Sequence, residues 1–432
     1  MSEIPVRHSP RKLVDWINPT EAKKVHSLVD KVYKTKNLQI AWQKVKAKRG
    51  AGGVDGETIE EFGQNAQEQL AQIQQEMKTG SYRAQPVRQV LIPKPGKPGE
   101  KRPLGIPTIK DRVVQQAFVN RLEPIFEEEF DEANFGYRPK RSTKDALRKI
   151  CNEVEKGNEW IVDADLKNFF GTVEHKKLMT LLGRRISDGK VLRMIEGILQ
   201  AECFAQGQLY PTRQGTPQGG VISPMLSNIL LTPFDKEMRC RGYRLTRYAD
   251  DWVITCASRA EAESALKCAR KILELSGVKV NEEKTRIVHV RYGFEFLGYK
   301  IKQGVRTLKL KAEQIKSGAK QGGLYIYPTQ KSLNRFKERI KQETDRRIGA
   351  KTEVLISRIK PIIRGWGLYY CEANIRKLFN QLNRWIVRRI WSHRYKRWRC
   401  MGWRSLPASK LYGELGLVSL VSLIPSIAWK YK

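Results

Sequence analysis

The chain has 432 residues, enough for two or three domains on length alone. Its 81 Lys plus Arg against 45 Asp plus Glu leave a formal net charge of +36, an excess that draws in polyanions. Seven scattered cysteines without a CxxC pair and dispersed histidines argue against zinc and for reduced thiols in a cytoplasmic protein, and "MSEIPVRHSPRK" lacks the apolar core of a signal peptide.

Residues 1–35 are polar and basic and read as a loosely held arm or short helices. "LQIAWQKVKAKRG" predicts a helix ending at Gly50, followed by the loop "GAGGVDG". That loop lacks the GK[ST] ending of a phosphate-binding P-loop and reads as a flexible connection. Thr58 and Glu61 fit a capping box opening a helix that runs to about Gly80. From Tyr82, "PVRQVLIPKPGKPGEKRPLGIPT" alternates apolar and polar residues around a Pro/Gly-rich centre, which predicts a hairpin with a basic tip. Helices over 112–127 and 142–156 lead into the β-type run "EWIVDADL". Further helices over 174–200 precede "RLTRYADDWVITC", where apolar and aromatic residues flank a turn. A helix over 260–276 and a hairpin in "RYGFEFLGYKI" complete an α+β region with a mixed sheet.

Beyond residue 330 the chain turns helical and more basic: residues 331–432 hold 24 Lys/Arg and 6 Asp/Glu, a net +18, half of the whole excess. Leu355, Ile359, Ile362, Trp366 and Tyr370 form one helical stripe, with a kink or break expected at Pro361. Ile375, Leu378, Leu382, Ile386 and Ile390 form a second, and Lys377, Arg384 and Arg388 share another face of that helix. Basic residues interleaved with aromatics, as in "WSHRYKRWRCMGWR", have the character of a nucleic-acid surface. "GLVSLVSLIPSIAW" is interrupted by Pro425 and falls short of the about 20 residues a membrane helix needs, so it reads as a buried C-terminal element.

Two acidic clusters stand out against this charge. In an extended strand Asp163 and Asp165 point the same way, and Asp250 and Asp251 are adjacent. Either alone is ordinarily a turn or a surface. If the two stretches are neighbouring strands, Asp165, Asp250 and Asp251 converge, and divalent cations relieve their repulsion. Mg²⁺ takes hard oxygen ligands, commonly one or two carboxylates plus substrate phosphates. Two such ions about 3.5–4 Å apart suit in-line displacement at phosphorus.

"IPKPGKPGEKRPLGIPTIKDRVVQQA", "FGYRPKRST", "DADLKNFF", "GTPQGGVISPMLSNI", "YADD", "NEEKT" and "FEFLGY" together resemble the motif set of reverse transcriptases. The set most resembles bacterial group II intron-encoded reverse transcriptases (maturases), over roughly residues 35–432. The resemblance implies a right-hand, polymerase-like fingers and palm of α+β class followed by an all-helical thumb. Residues 1–80 would be arm and fingers extension, 81–310 fingers and palm, and 311–432 a basic, RNA-binding thumb/maturase (X) domain. It implies that Asp165, Asp250 and Asp251 hold two Mg²⁺ ions, with Mn²⁺ as a substitute. Phe170, five residues beyond Asp165, would be the aromatic gate that rejects ribonucleotides. Lys94 and Arg102 would contact the incoming triphosphate, with Lys97 and Lys101 as stand-ins. Gln218 would line the nucleotide pocket. Lys284 would donate a proton to pyrophosphate or be a surface salt bridge. RNA contacts are expected at Arg138, Arg364, Lys377, Arg384 and Arg388.

The family's usual "FFDTIDH" reads "FFGTVEH" here, with Gly171 and Glu174 in place of its two aspartates. No Cys-pair or His-rich endonuclease module follows the X domain, so nicking of a second DNA strand is not expected. The implied function is RNA-directed DNA polymerisation plus binding of structured intron RNA in splicing and mobility. RNA template, DNA primer or target and dNTPs would be the partners, with no membrane and no zinc, in a cytoplasmic setting compatible with the nucleoid. The alternatives are a splicing maturase without polymerase activity, or a group II-like reverse transcriptase in host defence or adaptation. An RNA-copying RNA polymerase shares the metal logic but not the gate.

Overall fold

The computed structural model of the chain describes residues 24–93, 99–217, 219–304, 323–396 and 403–425. Lys94, Lys97 and Gln218, each expected near the nucleotide, lie outside them. The chain divides into two units, Met1–Ile287 and Val288–Lys432.

In the first unit, α1 (Val29–Tyr33) and α2 (Thr35–Lys48) precede α3 (Ile59–Gln64). The capping box forms: Glu61 N donates to Thr58 Oγ1 at 3.2 Å and Thr58 N to Glu61 Oε2 at 2.7 Å. The helix expected to run unbroken to Gly80 is instead two, because the chain leaves helical geometry at Asn65 before α4 (Ala66–Thr79). Gly63 and Asn65, both weak helix formers, account for the break. β1 (Val87–Pro93) and β2 (Lys101–Ile106) form the expected hairpin, in register from Arg88↔Ile106 to Pro93↔Lys101.

Helices α5 (Ile109–Glu127) and α6 (Thr143–Glu155) lead to β3 (Trp160–Asp165). The one-turn α7 (Phe169–Thr172), α8 (His175–Gly183) and α9 (Gly189–Leu199) follow. After β4 (Cys203–Ala205) and β5 (Gln208–Tyr210) come α10 (Ser223–Cys240), β6 (Arg244–Tyr248), β7 (Asp251–Cys256), α11 (Arg259–Leu275) and β8 (Arg286–His289). One sheet runs β2-β1-β4-β5 and the other β6-β7-β3-β8. The second is covered on both sides, so β7 buries Trp252 through Cys256 without alternation. Helix α10 is buried almost all round, the mark of a core helix rather than an amphipathic one.

In the second unit, β9 (Phe294–Phe296), β10 (Tyr299–Gln303) and β11 (Leu324–Pro328) make an antiparallel sheet. The hairpin expected in "FEFLGYKI" turns on Leu297 (φ 50°) and Gly298 (φ 76°), the doubly positive pair of a type I′ turn. Tyr369 and Tyr370 hold that turn, their hydroxyls donating to Leu297 O at 2.8 Å and Gly298 O at 3.0 Å. Helices α12 (Gln330–Glu343), α13 (Thr352–Tyr370), α14 (Arg376–Tyr395) and α15 (Ala408–Gly413) follow. No break occurs at Pro361: α13 runs through it, with the proline on its exposed side. The stripes are each displaced by one residue in part, since Ile363 rather than Ile362 and Phe379 rather than Leu378 are fully buried. A 3.6-residue repeat drifts away from strict four-residue steps. Leu417 and Leu420 are buried, and Gly367 admits the C-terminal stretch, since a Cβ there would lie 2.8 Å from Leu420 Cδ2. Among the described residues no helix is long and apolar enough to cross a membrane.

Candidate active site

β3 and β7 pair antiparallel, and their register ends with Asp165 opposite Asp251. β6 and β7 meet at Tyr248↔Asp251, so Ala249 and Asp250 are the two residues of a tight hairpin turn. Asp250 therefore stands beside the facing pair. Ala249 has φ 59°, a left-handed value for which such turns normally use glycine. Strain of this kind is held by the surroundings, and two contacts hold it here. The backbone at Gly136 presses on the turn so closely that a Cβ there would sit 2.3 Å from Ala249 N. From below, Arg247 Nη1 donates to Ala249 O at 2.9 Å.

Arg247 and Asp235 form a bidentate ion pair, 2.7 and 2.6 Å, with both side chains fully buried. Asn228 joins them, accepting from Arg247 Nη1 at 3.2 Å and donating to Gly136 O at 2.8 Å. One buried network thus ties the turn to the segment pressed against it. Sequence reading missed it. No local signal marks it, since Asp235 in "LLTPFDKEM" and Arg247 in "RLTRYADD" each stand among other charged residues.

The charge balance at the strand ends is unfavourable without a cation. Asp251 opens to solvent at the mouth of the site, yet the protein mass around it, then Asp250 and Asp165, push its carboxyl up to about 7. Asp250 is raised by burial first, its own backbone hydrogen bond opposing, and then by Asp165. Lys284 donates to Asp165 Oδ2, and that bond, against a smaller effect of burial, holds its ammonium above the usual lysine range. Asp163 pairs with Arg286 at 2.9 Å. Among the described residues no three His, Cys, Asp or Glu side chains close into a ready-made metal cage. The three acids are neighbours, but one is already engaged by an ammonium.

Phe170 is partly buried on α7, edge-on to the buried Phe169 at 5.4 Å. A Cβ at Gly171 would meet the Asn168 amide at 2.6 Å, so the position cannot take a side chain unless Asn168 moves. Glu174 pairs with Lys177 at 2.8 Å. Arg102 is exposed on β2, with Ile92 opposite it. Tyr137, which sequence reading did not single out, is half exposed with φ 55° and its ring lies 6.4 Å from that of Tyr248. Burial raises its hydroxyl, Asp250 adds to this, and Arg102 opposes it.

Of the expected RNA contacts, Arg364, Lys377, Arg384 and Arg388 are exposed on α13 and α14. Arg138 is not an RNA-facing residue. It is buried, paired with Glu127 at 2.6 Å, and donates to Asp131 O at 2.6 Å and Asn134 O at 3.1 Å. Its guanidinium fork ties the end of α5 to the loop before α6.

With this geometry in hand, residues 92–301 match the family model for reverse transcriptase (RNA-dependent DNA polymerase), and residues 333–410 that for the group II intron maturase-specific domain. The chain is 33% identical to Protein YkfC of Escherichia coli K12 over 334 residues, covering 67% of this chain and 87% of that protein. The chain belongs to the group II intron reverse transcriptase/maturase family. It is also 28% identical over 365 residues to the group II intron-encoded protein LtrA of Lactococcus lactis, covering 69% of this chain and 60% of LtrA. A 91 kDa protein in the cob intron of Schizosaccharomyces pombe is 30% identical over 276 residues, 60% of this chain and 33% of that protein. The reverse transcriptase match, of fingers-and-palm type, thus runs past Ile287 into the second unit, and the maturase match falls on the helices of the second unit.

Proposed function

We propose that the chain extends a DNA primer on an RNA template at Asp165, Asp250 and Asp251, and binds structured intron RNA through its basic helices. The observation that carries the first part is the register of β3 and β7, with Asp165 opposite Asp251 and Asp250 in the strained turn beside them. The donor set is all hard oxygen, the carboxyls of Asp250 and Asp251 are raised, and an ammonium already sits on Asp165, which fits Mg²⁺ or Mn²⁺. The three aspartates would hold two such ions, which supply charge neutralisation at the attacking and leaving oxygens.

The chain's own groups do the rest. The primer 3′-hydroxyl gives up its proton to solvent, and its oxygen forms a bond to the α-phosphorus of the dNTP as the bond to pyrophosphate breaks. Arg102, on the exposed hairpin, offers a planar fork to the triphosphate. Lys284 keeps its proton at the site and delivers it to the departing pyrophosphate. Phe170 leaves no room for a 2′-hydroxyl and offers it no hydrogen bond. Primer extension by purified protein with Mg²⁺ tests the proposal; absence of any product on an RNA template would leave an RNA-binding maturase in its place.

Two results are expected besides. Phe170→Ala should raise incorporation of ribonucleotides by about tenfold or more relative to dNTPs, read as the ratio of kcat/KM values; unchanged discrimination removes the gate. RNA affinity should fall steeply with salt, with a log–log slope of about −0.7 to −0.9 per phosphate neutralised. Arg364, Lys377, Arg384 and Arg388 are proposed to carry part of that slope. A flat salt profile counts against a phosphate-reading surface.

A further inference from the structure

The turn carrying Phe170 and the glycine-rich stretch of residues 214–217 and 219–220 are laced together. Gly215 N donates to Val173 O at 2.8 Å and Thr216 N to Phe170 O at 2.7 Å. The third tie is a side chain: the ring Nε2 of His175 lies 2.6 Å from Gly215 O. A carbonyl only accepts, so Nε2 carries the proton. His175 is 9% exposed, and Gly215 is buried.

The loop has little slack on either side. A Cβ on Gly215 (φ 91°) would approach Phe170 O to 2.9 Å, and one on Gly219 (φ 116°) would approach Gly105 O of β2 to 2.4 Å. It therefore fills the space between the backbone under Phe170 and the hairpin that bears Arg102. At its far end Gln115 Oε1 accepts from Val221 N at 2.8 Å. His175 is the side-chain tie at the near end.

We infer that His175 is a positioning residue for sugar selection. By holding the Gly215 carbonyl it sets how closely the loop lies against Phe170, and so the space left beside C2′ of the incoming nucleotide. The inference rests on reading the site as a polymerase and Phe170 as its gate. A buried hydrogen bond lost at this spacing lets the loop shift against Phe170, which is enough to show in the choice of sugar.

Steady-state single-nucleotide extension, with a dNTP and with the matching rNTP, tests it on wild type, His175→Leu, His175→Asn and His175→Gln. His175→Leu should raise KM for the dNTP about tenfold and lower the dNTP-over-rNTP preference about fivefold, with kcat at saturation within about twofold. His175→Asn, too short to reach Gly215 O, should move the same way and serves if the leucine variant does not fold. His175→Gln, whose amide nitrogen reaches, should recover most of the preference. Wild-type selectivity in both the leucine and asparagine variants overturns the inference. So does a fall in kcat with selectivity intact, the pattern of a purely structural role. Phe170→Ala run alongside separates the layers: if it leaves selectivity unchanged, the gate fails and this inference with it. If wild type makes no product, the polymerase reading itself is what falls.

Discussion

Asp250→Ala is expected to reduce primer extension on an RNA template by about 10²–10⁴-fold while leaving the protein folded and bound to RNA. The size follows from the several kcal/mol of charge stabilisation that a catalytic metal supplies, at 1.36 kcal/mol per tenfold in rate. Retention of the fold follows from where Asp250 sits. It occupies a hairpin turn rather than the core, and its carboxyl is already disfavoured by burial and by Asp165. Removing one of three mutually repelling acids takes away no packing. Primer extension, a thermal melt and a filter-binding titration on the same preparation make the check. Extension at the wild-type rate would falsify the assignment of the site.

The second large effect concerns the Arg247–Asp235 pair beneath the turn. Arg247→Met strands a fully buried carboxylate, and breaking such a pair costs about 3–5 kcal/mol. Denaturant unfolding should register that loss. The double variant Arg247→Met with Asp235→Leu replaces both charges by apolar groups of comparable size and is expected to regain most of the stability. It should nevertheless extend primers about 10–100-fold more slowly than wild type, because Ala249 O has lost its donor and the strained turn its brace. A double variant that recovers stability and full activity together would mean that the network supports the fold alone. An unchanged unfolding midpoint in the single variant would remove the ion pair from consideration.

How much of this was legible in the residues depended on distance along the chain. The carboxylates stood out because acids inside short apolar β runs need a reason. Choosing Asp165 over Asp163 needed the family's spacing to the gate; the structure places Asp165 opposite Asp251 and gives Asp163 to Arg286. The basic hairpin, the palm strands and the "FLGY" turn were local patterns and formed where they were read. The brace residues were not legible. Arg247 reaches Asp235 over 12 positions and His175 reaches Gly215 over 40, and neither partner carries a local signature. Arg138 was misread for a related reason: in so basic a chain an arginine beside a basic motif looks like surface, and only the fold reveals Glu127 and two carbonyls around it. The single helix expected up to Gly80 failed because periodicity persisted across Asn65 while the backbone did not. β11 was overlooked although Leu324, Ile326 and Pro328 alternate cleanly, since five residues between a basic stretch and a helix make a faint signal.

The two-residue length of the loop joining β6 to β7 has a genetic corollary. Along β7, Trp252, Ile254 and Cys256 face one side of the sheet, while Asp251, Val253 and Thr255 face the other. Adding or deleting one codon there would slip the strand by a single step, forcing the indole into the buried space shaped for a smaller side chain on the opposite face and driving a carboxylate toward the interior. Substitution within the loop should thus leave the fold standing in cases where any change in its length does not.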